Sequence, residues 1–192
     1  MPRSRTLATL AVVAASVLSF TVKSQGQGVN RDEILQLATN AAPGKNVAAG
    51  RALFEKNCAT CHRFGPIGTD VGPDLTTINS RFKKRDILES ILFPSKTVSD
   101  QYQSEMIKTE TATHNALVVR ETAAALQVRV NTDPSKPIVI QKGTITSREK
   151  SEVSFMTEGL IDKLSQADIA NLLAFIQAGP PKTVPAPASY IK

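Results

Sequence analysis

The sequence predicts a mainly α-helical domain carrying a small antiparallel β insertion, and three observations lead there. Apolar residues recur at helical spacing in residues 47–57, 84–93 and 165–176. Between residues 101 and 147, β-branched residues alternate or cluster instead, with turn-forming residues between the runs. A chain of 192 residues has room for one domain with an embedded module and little more.

Taken in order, the chain opens with Arg3 and Arg5 before an uncharged apolar run at residues 7–20, the pattern of an export signal. The run is 14 residues long, short of the roughly 20 needed to span a bilayer, and a polar stretch at 23–28 follows it. Residues 1–26 are therefore read as a removed signal, with an uncleaved N-terminal anchor as the alternative; the removed signal implies an exported, periplasmic protein with no membrane span in its mature form. Residues 27–45 form an N-terminal extension with a short helix at 31–38 and a linker at Pro43-Gly44. The main domain is expected over 46–178. Its first helix, 47–57, presents Val47, Leu53 and Phe54 with small Ala48, Ala49 and Gly50. A mid-helix glycine costs up to about 1 kcal/mol relative to alanine, so Gly50 signals close approach of another helix, expected near the C-terminus.

A loop at 65–80 follows, then a helix at 84–93 that buries Ile87, Leu88, Ile91 and Leu92 before Pro94 closes it. Strands are expected at 101–111, 115–121, 125–130, 138–142 and 144–147, an insertion of about 101–147. Asn131-Thr132-Asp133-Pro134 and Lys142-Gly143 supply turns. Ser165 to Asp168 reads as a capped helix start, Ile169, Leu172, Leu173 and Ile176 as its apolar face, and Gly179-Pro180 as its stop. Residues 179–192, with Pro180, Pro181, Pro185 and Pro187, form a Pro-rich tail.

Charge excludes one class of function. Residues 1–26 carry three cations and no acidic residue, so their removal lowers the formal charge from +6 to +3. That is too little for a nucleic-acid surface. Aromatic residues make up only 5% of the chain and Trp is absent, so a core this poor in large rings would gain from a bulky apolar cofactor.

The two cysteines suggest which cofactor. Cys58-Ala59-Thr60-Cys61-His62 is a C-x-x-C-H motif, which reads as covalent attachment of one haem c. Two thiols at this spacing can form thioethers to the two vinyl groups, and the adjacent imidazole can ligate iron. A thioredoxin-like pair would follow a strand, whereas this motif ends a helical segment. A structural zinc site needs further ligands, and His114 is the one other Cys or His in the chain.

The wider pattern resembles a known family. Gly50 to Phe54, the C-x-x-C-H motif, Gly72-Pro73-Asp74-Leu75, and Ser154-Phe155-Met156-Thr157-Glu158-Gly159-Leu160 together look like a class I c-type cytochrome. More narrowly they resemble the haem-binding domain family of planctomycete and verrucomicrobial type, which carries a comparable insertion. The resemblance runs from about 47 to 178. It implies a helical fold around one haem, Met156 as sixth ligand, and the Pro73 carbonyl as acceptor for the outer nitrogen of His62. The family places Pro after the Met; here the residue is Thr157. Rival ligands are Met106, in a strand-like run, and His114, read as a turn residue between two strands.

The expected cofactor-binding set is thus Cys58, Cys61, His62, Pro73 and Met156, with His62 and Met156 on the metal. The function expected is outer-sphere electron transfer without substrate chemistry, the partner being a redox protein: a dehydrogenase donor, or an oxidase or cytochrome acceptor. A haem enzyme or gas sensor with an open sixth site, and a subunit of a larger dehydrogenase complex, are the competing functions. His114 is the one spare histidine an enzyme could use as acid or base.

Overall fold

The computed structural model describes residues 30–183. The expected signal at 1–26 and the tail prolines Pro185 and Pro187 lie outside the described residues. Four α-helices form, α1 (Arg31–Asn40), α2 (Val47–Asn57), α3 (Lys84–Leu92) and α4 (Gln166–Ala178). Their starts are set locally. Side-chain oxygens of Asn30, Asn46 and Ser165 accept from the backbone N–H groups of Glu33, Ala49 and Asp168, at 3.1, 2.9 and 3.1 Å. Helix α4 stops at Gly179, whose φ of 85° suits a residue without Cβ.

Helices α2 and α4 meet backbone to backbone. A Cβ on Gly50 would stand 2.0 Å from the Asn171 carbonyl oxygen, and the Asn171 side chain accepts from Asn46 N–H at 3.1 Å. The close crossing brings Phe54, Phe64 and Phe175 together with ring centroids 5.3 to 5.6 Å apart. Leu88, Leu92, Ile161, Leu172 and Leu173 are among the residues that pack around them, and α1 contributes Leu35 and Ala38.

The expectation of a mainly α fold needs correction. Beside the four helices stands a five-stranded antiparallel sheet, and 24% of the described residues lie in strands. The strands are β1 (Glu105–Thr109), β2 (Thr113–Glu121), β3 (Ala125–Val130), β4 (Asp133–Gln141) and β5 (Ile145–Lys150), in spatial order β4-β3-β2-β1-β5. Strand β4 starts inside the expected four-residue turn, because Val130 pairs with Asp133 and leaves Asn131 and Thr132 to turn the chain. Pro134 and Pro137 are tolerated there since β4 is an edge strand. His114 is also corrected: it lies in β2 opposite Ile107, and the turn is made by the residues before it.

The sheet must curl. Its two edges, β4 and β5, are joined by a single 3-10 turn at Lys142–Thr144. Four strand spacings in a flat sheet amount to about 19 Å, whereas the four chain steps from Gln141 to Ile145 reach at most about 14 Å. Register shifts between Lys108 and Thr109, Val118 and Arg120, and Val128 and Val130 supply the bending. The concave face encloses a second core of Ile107, Ala116, Leu126, Val128, Val130 and Ile140, which shares no residue with the helical one. Arg148 ties the roll from β5 to Glu105 and Glu121, at 2.6 and 3.0 Å, and Lys142 joins Glu121 at 2.5 Å.

Two outcomes follow from this packing. Gly50→Ala gains about 1 kcal/mol in helix propensity but forces α2 from α4, so denaturant titration is expected to show a net loss of roughly 1–3 kcal/mol. The hydrogen bonds from Arg148, then Lys142, hold the Glu121 carboxyl down to about 2 from an ordinary 4.5. This clasp therefore stabilises the fold above the ordinary value and is lost as pH falls towards 2. An NMR titration of Glu121 should show the low value, and Arg148→Gln should raise it.

Candidate functional site

The site begins where α2 ends. Cys58 caps that helix, its N–H donating to the Phe54 carbonyl at 2.8 Å. The Cys58 carbonyl then accepts from both Cys61 N–H and His62 N–H, at 3.0 and 2.9 Å, so one tight turn carries both thiols and the imidazole. Both cysteines are free and half-buried. Burial pushes the Cys58 thiol up to about 12 and raises that of Cys61, which the Arg129 guanidinium of β3 pulls the other way.

The loop after the turn folds back over it. Val71 N–H and Gly72 N–H donate to the Cys61 carbonyl at 3.0 and 2.7 Å, Leu75 N–H donates to the Arg63 carbonyl at 2.8 Å, and the Thr69 hydroxyl to the Thr60 carbonyl at 2.6 Å. Arg63 and Asp70 pair across its mouth. Two glycines allow the fit. At Gly68, φ is 87° and a Cβ would stand 1.9 Å from the His62 carbonyl oxygen; at Gly72 a Cβ would stand 2.8 Å from Cε1 of the His62 ring.

The imidazole is held in one state. Nδ1 of His62 lies 2.8 Å from the Pro73 carbonyl oxygen, which can only accept, so Nδ1 carries the proton and donates. In the neutral ring Nε2 then keeps its lone pair. Burial lowers the pKa of His62, against a smaller upward pull from the Pro73 hydrogen bond, and so favours that neutral form.

Cys58, Cys61, His62 and Pro73 are therefore gathered into one hydrogen-bonded unit. Met156 stands on a separate loop, between β5 and α4, half-buried beside buried Phe155. Its N–H donates to the Ser154 hydroxyl at 3.1 Å. Met106 pairs with Asn115 on the convex face of the sheet, whereas His114 shares the concave face with Ile107 and Ala116. Two residues that sequence reasoning passed over bind the Met156 loop. Asn115 donates to the Val153 and Ser154 carbonyls, and Arg31 donates to Glu158 and Asp162. For Asn115, the strand alternation that separates it from Ala116 was the available signal.

Residues 47–124 match the family model for cytochrome c, and no curated protein matches the chain. The match takes in α2, the C-x-x-C-H turn, the loop over His62, α3 and the first two strands. Met156 and α4 lie beyond it. The matched segment supports a c-type cytochrome with covalently bound haem and haem-based electron transfer. The donor set fits that group: two unpaired thiols on one turn, and an imidazole whose outer nitrogen is occupied and whose Nε2 is a free donor.

Gly72→Ala should displace the His62 ring from Pro73. The expected result is a lower thermal midpoint and a lower yield of covalently attached haem on haem-stained gels. Gly143→Ala, where a Cβ meets nothing within 4 Å, should match the parent in both measurements.

Proposed function

We propose that the protein is an exported monohaem electron carrier, with haem c held through Cys58 and Cys61 and its iron ligated by His62 and Met156. The observation that carries this reading is the hydrogen bond of His62 Nδ1–H to the Pro73 carbonyl, made beside two free thiols. The bound group would supply a one-electron ferric/ferrous couple. The chain's own residues orient and tune it. Pro73 fixes the tautomer and ring orientation of His62 and makes Nε2 a stronger donor. A thioether at Met156 is soft and favours the reduced metal, which raises the potential and suits a carrier.

An occupied sixth position leaves no open site for substrate, so transfer goes outer-sphere to a redox protein partner. Supporting the separation from enzymes, His114 sits on the concave face of the sheet, away from the face whose Asn115 binds the Met156 loop. No helix among the described residues is long and apolar enough to cross a membrane. Export to the periplasm rests on the signal-like pattern at 1–26. The narrower likeness to the planctomycete and verrucomicrobial haem-binding domain rests on the Ser154 to Leu160 motif and the inserted sheet.

Protein produced in a host that matures c-type haem should give the pyridine haemochrome spectrum of haem joined by two thioethers, at one haem per chain. Its reduced spectrum should be six-coordinate and low-spin. Met156→Ala should abolish the thioether-to-ferric-iron charge-transfer band and lower the midpoint potential; spectra indifferent to that substitution would remove Met156 from the iron.

A further inference from the structure

The segment that leads from β5 to Met156 keeps one backbone bond to the sheet, Ser151 N–H to the Ser104 carbonyl at 2.9 Å, and then leaves the ladder, so its remaining backbone polar groups need other partners. They find them on the nearby Ser151 hydroxyl and on side chains distant in sequence. The Val153 carbonyl accepts from the Ser151 hydroxyl at 2.7 Å, from Asn115 Nδ2 at 3.2 Å and from the Ser104 hydroxyl at 3.3 Å. The Ser154 carbonyl accepts from Asn115 Nδ2 at 3.1 Å, and Ser154 N–H donates to the Ser95 hydroxyl at 3.1 Å. Gln103 Nε2, just before β1, donates to the Ser104 and Ser151 carbonyls at 3.0 and 2.7 Å. Ser104, Ser151 and Ser154 are all buried, where a hydroxyl is costly unless bonded.

Asn115 stands at the centre of this clasp. Two carbonyls lie on the same side of its carboxamide, which settles that the nitrogen faces them. The amide oxygen on the other side is buried without a hydrogen-bond partner among the described residues. An apolar side chain here would avoid that cost, so the asparagine stabilises the loop at the expense of its own satisfaction. Downstream, Arg31 donates to Glu158 at 2.7 Å and to Asp162 at 2.9 Å. Met156 thus hangs between two anchors, Ser154 before it and Glu158 after it.

We infer that Asn115 is a positioning residue for Met156, and that the inserted sheet serves to hold the loop presenting this thioether. The inference rests on the reading that Met156 ligates the iron. A ligand loop that opens part of the time binds more weakly by the fraction of time it is open. Removing both Asn115 donors should raise the open population about tenfold or more, the worth of two ordinary hydrogen bonds.

The test uses the full haem-loaded chain. Asn115→Asp keeps the shape of the side chain and removes both N–H donors; Ser95→Ala removes the hydroxyl that accepts from Ser154 N–H, a second tie on the same anchor, and serves if the first variant does not fold. Val128→Ala, in the concave core, weakens the sheet without touching the loop. The readouts are the affinity for added imidazole, the charge-transfer band and the thermal midpoint. The expected result is imidazole affinity raised about tenfold in Asn115→Asp, and raised also in Ser95→Ala, with a weaker band in both. Val128→Ala should lower the thermal midpoint alone. Loop variants that bind imidazole like the parent, or that behave like Val128→Ala, overturn the inference while leaving Met156 as ligand. If the parent binds imidazole as tightly as Met156→Ala does, the ligation itself falls, and the inference with it.

Discussion

Helices α2 and α4 cross at backbone distance, and the site depends on this contact. At Gly50 there is no side chain to hold them apart, and the Asn171 carbonyl occupies the space that a Cβ would need. That proximity lets Phe54 and Phe175 reach each other and Phe64, which follows the C-x-x-C-H turn by two residues. The turn is therefore rooted at both ends, by Cys58 at the end of α2 and by Phe64 in the aromatic cluster. Apolar burial fixes where the thiols and the imidazole stand, and hydrogen bonding fixes how they point.

The helices were legible because their signals are local. Asn46, Ser165 and Gly179 act within one turn of their own helix, and the apolar period of α4 matches its buried face. Strand positions were legible but strand ends were not, since an end is set by its partner. Asp133 is in β4 because Val130 faces it, and His114 is in β2 because Ile107 faces it. The curl of the sheet follows from a turn too short to join flat edges, a constraint visible once the strand order is known. The same division runs through the site. His62 and Pro73 lie eleven residues apart, and it is the family resemblance that pairs them, while Asn115 and Arg31 act on partners 38 to 131 residues away.

The two cores are separate, and this decides what joins the sheet to the helical part. No residue belongs to both clusters, so the contact described at the Met156 loop is a set of hydrogen bonds through Ser104, Asn115, Ser151 and Ser154. Polar contacts are directional, so they locate a loop with less ambiguity than an apolar patch that can slide. The unpartnered oxygen of Asn115 is the cost of this arrangement, borne at one atom.

Rigidity around Met156 therefore has a different origin from rigidity around His62. A proline after Met156 would fix its own φ, but Thr157 leaves that torsion free. The stiffness must come from Phe155, buried in place, and from the anchors at Ser154 and Glu158. Those anchors reach back to Ser95, Asn115 and Arg31, so closing them costs more chain entropy than closing the short loop from His62 to Pro73. The His62 side of the site is held by its own neighbours. The loop that carries Met156 is held only when the sheet and α1 are both in place, which makes it more exposed to local opening than the His62 turn.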